Sequence, residues 1–452
     1  MSGASKLELP DGDLALHERL ATALVSAIDG GTFRPGERLP THRRLAERFG
    51  VSIGTVTRAV DTLSDRGLVR GEIGRGTFVL DRAAAAATES GAIIDLTINA
   101  PPPLLGYEAL AEAAEMATRR ALRLAHGGYV DHSGTDEQRV IVARWLTAAR
   151  QAVTADEIVL TNGAQQGIHL AFAALKDRSA TIATEGATFP GAIAAATNLG
   201  LTMLPVAHDG EGMLPEALDA TLTAHACKII YTTPVCQNPL GFETGPERRR
   251  ALAAVAARHG AFIVEDDIYG LYSAKGPLTY KDLAPDSTIF ITSLSKSLTP
   301  LIRLGVMVPP RAMRAGIIKR LRAESWGLPP FVAELSAALI DSGAAVSIET
   351  KLRAEALARQ AMAQRTFALG ALPMPKGAPH IWLPMSPLAA EQLARRASEA
   401  GVRITPPGAT IVGSSSVGGI RLCIMAPPTR VGLERGLGIL AGLIGSDEAV
   451  IV

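Results

Sequence analysis

The sequence predicts two domains of different class: a small α+β head over residues 1–80 and an α/β body over residues 93–452 whose sheet is mostly parallel. Three observations carry this. The head region holds three amphipathic helical stretches followed by a glycine-tipped pair of strands. The stretch "DRAAAAATESGA", residues 81–92, has no large apolar side chain and reads as a connector. Beyond it, short β-rich runs alternate with helical stretches, the pattern of a parallel sheet covered by helices.

Bulk properties agree and exclude several classes. A chain of 452 residues exceeds the size at which one core keeps growing, and an apolar fraction of 47% is too high for a disordered chain. A net charge of +1 gives no general attraction to polyanions, so any nucleic-acid surface must be local. Cys227, Cys236 and Cys423 are too scattered for a disulfide framework or a zinc site, and no metal site is expected. There is no basic-then-apolar leader, and no apolar run reaches the roughly 18 residues that span a bilayer. The expectation is a cytoplasmic chain with no membrane segment.

In the head, "LALHERLATALVSAIDGG" places Leu16, Leu20, Leu24 and Ile28 on one helical face and stops at Gly30-Gly31. "LPTHRRLAERFG" opens a second helix capped by Thr41 and closed by Gly50. A third begins at Ser52, with Val56, Val60 and Leu63 as its buried stripe. Two short helices joined by a tight turn make a helix-turn-helix. "LVRGEIGRGTFVL" then reads as a β-hairpin wing. Arginine is dense here and lysine almost absent. Ser52, Thr55 and Arg58 at the start of the third helix suit base edges and phosphates in a major groove; Arg43 and Arg44 would flank the backbone, and Arg75 would reach a minor groove or phosphate.

In the body, ligands of such sheets gather beyond the carboxyl ends of the strands, so the residues that follow each strand matter most. "EIVLT" ends in "NGAQQG", where Gly163, Ala164 and Gln165 open a helix and present free N–H groups to a phosphate. "KIIYTTP" leads to Asn238, "AFIVE" to Asp266 and Tyr269, and "TIFIT" to Ser293, Ser295 and Lys296, with Arg303 seven positions on. Together these supply what pyridoxal phosphate requires. A lysine amine forms its Schiff base, a carboxylate keeps the pyridine nitrogen protonated, and a tyrosine and an asparagine hold the phenolate oxygen. Serines, backbone N–H groups and an arginine neutralise the phosphate. His169 reads as a packed core histidine, and His380 and Trp382 as structural strand residues.

Two resemblances extend this reading. "GTFRPGERLPTHRRLAERFGVSIGTVTRAVDTLSDRGLVRGEIGRGTFV" resembles the winged helix of GntR-type bacterial regulators, which implies Arg43, Ser52, Thr55, Thr57, Arg58 and Gly76 near double-stranded DNA. Ile53-Gly54 departs from the polar or basic residues that family has at this turn. "SLSKSLTPLIRLG", "PVCQNPLG" and "VEDDIYG" resemble the signatures of fold type I, class I/II aminotransferases, whose large domain is followed by a smaller C-terminal subdomain. That likeness implies Phe189 stacked on the cofactor ring, Tyr129 reaching the partner subunit's phosphate, and Arg421 gripping a substrate carboxylate. On the strand itself, Ile420, Leu422 and Ile424 share one face, so Arg421 points to the other.

The combination resembles the MocR-type branch of GntR regulators. It implies a homodimeric transcriptional regulator that binds operator DNA and senses an amino compound through an external aldimine at Lys296. The alternative is a working aminotransferase with an attached DNA-binding domain, since no cofactor post is lost.

Overall fold

Contacts divide the chain into two units, residues 1–93 and 94–452. The computed structural model describes residues 9–10, 15–29, 31–34, 36–65, 68–72, 75–80, 93–125, 128–273, 278–369 and 375–445. The expected connector, residues 81–92, and the hairpin's Gly74 lie outside the described residues.

In the first unit, α1 (Leu16–Asp29) buries Leu20 and Leu24 fully, while Leu16, expected on the same face, is 42% exposed in the first turn. Helix α2 (His42–Phe49) starts at Thr41, whose hydroxyl accepts the Arg44 N–H, and ends at Gly50 in the left-handed conformation. Helix α3 (Ile53–Asp65) is opened by Ser52, whose Oγ accepts the Thr55 N–H at 3.1 Å. Val56, Ala59, Val60 and Leu63 face inward to meet Leu20, Leu24 and Leu45. Strands β1 (Val69–Glu72) and β2 (Gly76–Val79) pair antiparallel, Val69 opposite Val79 and Glu72 opposite Gly76.

The segment before α2 adds a further rung to this wing. Leu39 N–H donates to Thr77 O at 2.8 Å, and Val79 N–H to Glu37 O at 2.9 Å. The pairing brings Arg38 so close to Gly76 that a Cβ there would lie 2.4 Å from Arg38 Nε, and the φ of +116° equally favours glycine.

The second unit is built on a seven-stranded sheet. Its strands are β4 (Val159–Asn162), β5 (Thr181–Glu185), β6 (Thr202–Val206), β9 (Ile229–Thr232), β10 (Phe262–Asp266), β11 (Thr288–Ser293) and β12 (Leu304–Val308), in the order β4-β12-β11-β10-β9-β5-β6. Every neighbouring pair is parallel except the two made by β12. A small hairpin, β7 (His208–Asp209) with β8 (Gly212–Met213), stands apart. All residues of β9, β11 and β12 are buried, because helices cover both faces; that is why "TIFITS" reads as a continuous run rather than an alternation.

A smaller subdomain forms around two further pairs. Strand β13 (Ile381–Pro384) runs antiparallel to β15 (Gly419–Leu422), with Trp382 opposite Arg421. Strand β14 (Val402–Arg403) runs parallel to β3 (Ile94–Asp95), with Val402 opposite Ile94. Ile94, Leu96, Leu383, Ile420, Leu422 and Leu437 share its core. The first strand after the connector is thus built into the carboxyl-terminal subdomain. His169 differs from its sequence reading: its side chain is 27% exposed and faces Glu324 at 3.6 Å.

No single described helix is long and apolar enough to cross a membrane.

Candidate functional site

The sheet's topology gathers the site. The loops after β4, β5, β9, β10 and β11 emerge at one end of the sheet. Because β12 runs the other way, its beginning lies at that same end, which brings in Arg303, one residue before the strand. A cavity of about 500 Å³ forms there. It is lined by Lys296, Asp266, Tyr269, Asn238, Ala164, Gln165, Phe189, Ser293, Ser295, Arg303 and Arg421, so most of the residues read from the sequence converge.

Each is held by a definite contact. Asp266 is buried; its Oδ2 accepts a hydrogen bond of 2.8 Å from the Tyr231 hydroxyl, and its Oδ1 has no partner. Burial raises its carboxyl to about 6, while the Tyr231 hydrogen bond pulls the other way. Tyr269 is buried beside it, and burial pushes its phenol well up. Lys296 Nζ donates to the backbone oxygen of Asn99. Burial lowers its amine from 10.5 to about 8, which leaves an appreciable fraction unprotonated near neutrality.

At the other end of the cavity, Gly163 begins the helix Gly163–Leu175 with a φ of +75°. An added Cβ would lie 3.1 Å from Arg303 Nη2, so glycine here lets the guanidinium approach the helix start. Among the described residues no hydrogen bond or ion pair holds the Arg303 guanidinium. The Ser293 hydroxyl faces Leu304 O at 2.8 Å, and that of Ser295 faces Ile302 O at 3.3 Å. Gln165 Nε2 donates to Gly191 O, and Phe189 caps the helix Pro190–Asn198 at the cavity wall.

Arg421 is buried and its guanidinium fully engaged on one side. Nη1 donates to Asn238 Oδ1, and Nη2 donates to Thr97 O and, at 2.7 Å, to Thr405 Oγ1. Its Nε has no partner.

Sequence reading missed Asn99, Thr97, Thr405 and Tyr231 and took His380 as structural only. Asn99 Nδ2 donates to Tyr269 OH at 2.9 Å and to His380 Nδ1 at 2.8 Å, while His380 Nε2 donates to Gln237 O at 3.0 Å. His380 is thus fixed as the neutral Nε2–H tautomer; burial and the nearby Arg421 lower it to about 3. Thr97 and Thr405 hold Arg421, and Tyr231 holds Asp266. The one signal available was a tyrosine inside a fully buried strand, whose hydroxyl must find a partner.

Tyr129 lies outside the cavity, 88% exposed, with its ring 4.9 Å from that of Trp326. Cys236 is buried, and burial pushes its thiol well up, which keeps it unreactive.

On the head, Arg43, Arg58 and Arg75 are exposed. Thr55 Oγ1 sits 2.9 Å from Ser52 Oγ. The Thr57 hydroxyl bonds Ile53 O at 3.1 Å and meets His42 Nδ1 at 3.2 Å, fastening α3 to α2.

These two units define a class: a winged DNA-binding head in one chain with an aminotransferase-type body. Comparison with known proteins agrees. Residues 92–440 match the model of the aminotransferase class I and II family, and residues 16–79 that of the bacterial regulatory proteins of the gntR family. The chain belongs to the MocR-type regulators, in which these two families are joined. It is 26% identical over 453 residues to the uncharacterised HTH-type transcriptional regulator YdeF of Bacillus subtilis, covering 97% of this chain and 96% of that protein. It is 27% identical to the probable rhizopine catabolism regulatory protein MocR of Rhizobium meliloti, over 73% of this chain and 72% of that one. An archaeal alanine:glyoxylate aminotransferase shares the body's fold, with a TM-score of 0.71 at 21% identity over 85% of this chain and 98% of that one.

Proposed function

We propose that the protein is a transcriptional regulator that binds operator DNA through its head, holds pyridoxal phosphate at Lys296, and responds to an amino compound there. The observation that carries this is the distribution of unpaired polar atoms. Among the described residues nine buried side-chain nitrogens or oxygens lack a hydrogen-bond partner, and four belong to Asn99, Thr233, Asp266 and Arg421, all lining the same cavity. Each such atom costs about 1–3 kcal/mol if it stays unpaired, so their convergence fits a polar ligand.

The residues present suit pyridoxal phosphate. Arg303, the N–H groups of Ala164 and Gln165 at the helix start, and Ser293 and Ser295 would hold its phosphate. Asp266 Oδ1 would face the ring nitrogen, Tyr269 and Asn238 the phenolate oxygen, and Phe189 the ring face. Lys296 would supply the amine. When bound, the cofactor supplies an aldehyde that condenses with amines and a ring that withdraws electrons. With both Asn99 Nδ2 protons spent on Tyr269 and His380, the Tyr269 hydroxyl accepts from Asn99 and keeps its own proton for the cavity. Arg421 would receive the carboxylate of an incoming amino acid. Tyr129 would act across a homodimer, and Arg43, Arg44, Ser52, Thr55, Arg58 and Arg75 on DNA, with Gly76 shaping the wing.

Borohydride reduction of the cofactor-loaded chain, followed by peptide mapping, tests the amine: a pyridoxyl adduct on Lys296 is expected, and an unlabelled Lys296 rules it out. A band-shift titration of operator DNA with and without amino compounds tests the response. A second reading, an active aminotransferase, is favoured by the depressed Lys296 amine beside an intact Asp266. Sustained turnover with an amino donor and a keto acid would decide for it.

A further inference from the structure

Arg421 is placed so that it cannot grip a carboxylate through two parallel hydrogen bonds without giving one up. A guanidinium grips a carboxylate bidentately through Nη1 with Nη2, or through Nε with Nη2. Either fork needs Nη2. Both Nη2 protons are already donated, one to Thr97 O and one to Thr405 Oγ1. Thr405 Oγ1 in turn donates to Thr97 O at 3.0 Å. Arg421, Thr405 and Thr97 therefore form a closed clasp at the cavity wall.

The clasp secures a particular piece of chain. Thr97 lies two residues after β3, the first strand after the connector of residues 81–92. The bonds that tie this strand to the subdomain include Ile94 N–H to Gly401 O at 2.9 Å, Leu96 N–H to Arg403 O at 2.8 Å, and Cys423 N–H to Leu96 O at 3.1 Å, beside the core packing of Ile94 and Leu96. Two residues further on, Asn99 touches Lys296, Tyr269 and His380. One short segment thus carries the chain from the connector directly into the wall of the cavity, and Arg421 is its fastening.

We infer that the carboxylate of an α-amino acid is the regulatory signal: by claiming Arg421 Nη2 it opens the clasp on Thr97 and loosens the strand that follows the connector. This rests on the reading of the cavity as an amino-compound site, and it names both the ligand class and the route of the signal. An amine without a carboxylate enters the same cavity and leaves the clasp shut. The selectivity is thermodynamic, since only a ligand that binds the clasped and unclasped forms differently can shift their balance. A charge-assisted hydrogen bond lost from the clasp raises local opening of β3 about tenfold or more.

Hydrogen exchange of the full, cofactor-loaded chain reads this at the Ile94 and Leu96 amides. In the ligand-free protein, Thr405→Val removes one acceptor of Arg421 and the donor to Thr97 O, and exchange there rises about tenfold. Thr405→Ser keeps the hydroxyl and exchanges like the parent, which separates the clasp from general loosening. Parent-like exchange in Thr405→Val overturns the clasp. In the parent protein, saturating glycine speeds exchange at both amides, whereas methylamine changes the cofactor's absorbance but not the exchange. Equal exchange with the two compounds overturns the carboxylate as signal. An absorbance spectrum that neither compound moves overturns the reading of the cavity itself, while the Thr405 variants still decide whether the clasp exists.

Discussion

The Tyr231 hydroxyl donates a hydrogen bond of 2.8 Å to Oδ2 of Asp266, from the neighbouring parallel strand, with both side chains shut off from solvent. It leaves Oδ1 as the carboxylate's one free face, and it favours the charged form against the burial that raises Asp266 to about 6. Tyr231→Phe removes that support without changing the shape of the core. Pyridoxal phosphate affinity at neutral pH is then expected to fall about tenfold, the worth of one hydrogen bond to a charged group. Equilibrium dialysis measures it; an unchanged affinity means Asp266 needs no such support.

Lys296 gives a pH signature. Its amine is depressed by burial from 10.5 to about 8 in the folded chain. Between those values the unfolded chain binds the extra proton, so this residue's contribution makes the cofactor-free protein more stable as pH rises from about 8 to about 10.5, and its full penalty applies below 8. Lys296→Met abolishes that gradient. Urea midpoints of the two proteins should converge toward the upper end of the window and separate toward the lower, with the variant the more stable below it. Parallel curves would mean an amine in ordinary solvation.

What the sequence makes legible is local. Lys296, Asp266, Asn238 and Arg303 each stand at a strand boundary within a short, chemically distinctive run, and chain order along an α/β sheet already says that such boundaries meet. Asn99, His380 and Thr405 could not be read the same way. They lie in unremarkable runs 170, 281 and 16 positions from the residues they hold, Tyr269, Asn99 and Arg421, and only the closing of the subdomain over the cavity unites them. Thr57 adds a contact of the same kind: the resemblance implies DNA near it, and the structure shows its hydroxyl bonded to Ile53 O and His42, a tie between α3 and α2 that chain order does not reveal.

Arg150 and Asp267 form a bidentate pair, Nε to Oδ2 at 2.8 Å and Nη2 to Oδ1 at 3.0 Å, in which neither side chain is more than 6% exposed. Asp267 also follows Asp266 directly in sequence. Arg150→Met would strand a buried charge and is expected to cost about 3–5 kcal/mol, whereas Arg150→Met combined with Asp267→Leu recovers much of it. Chemical denaturation of the single and double variants gives the comparison. A double variant no better than the single one would show that packing, not the stranded charge, sets the cost.

The head's arginines divide by what they can reach. Arg43 on α2 and Arg58 on α3 are exposed, and a phosphate contact by either releases a counterion when DNA binds. Arg43→Ala and Arg58→Ala should each weaken operator binding and reduce the log–log salt slope by about one unit. Thr57→Ala supplies the contrast. It removes a neutral hydroxyl that ties α3 to His42, so it lowers the head's thermal midpoint and leaves the salt slope as it was. Affinity measured across a salt series separates the two effects. A slope that stays constant through both arginine variants would place their guanidinium groups away from the phosphates.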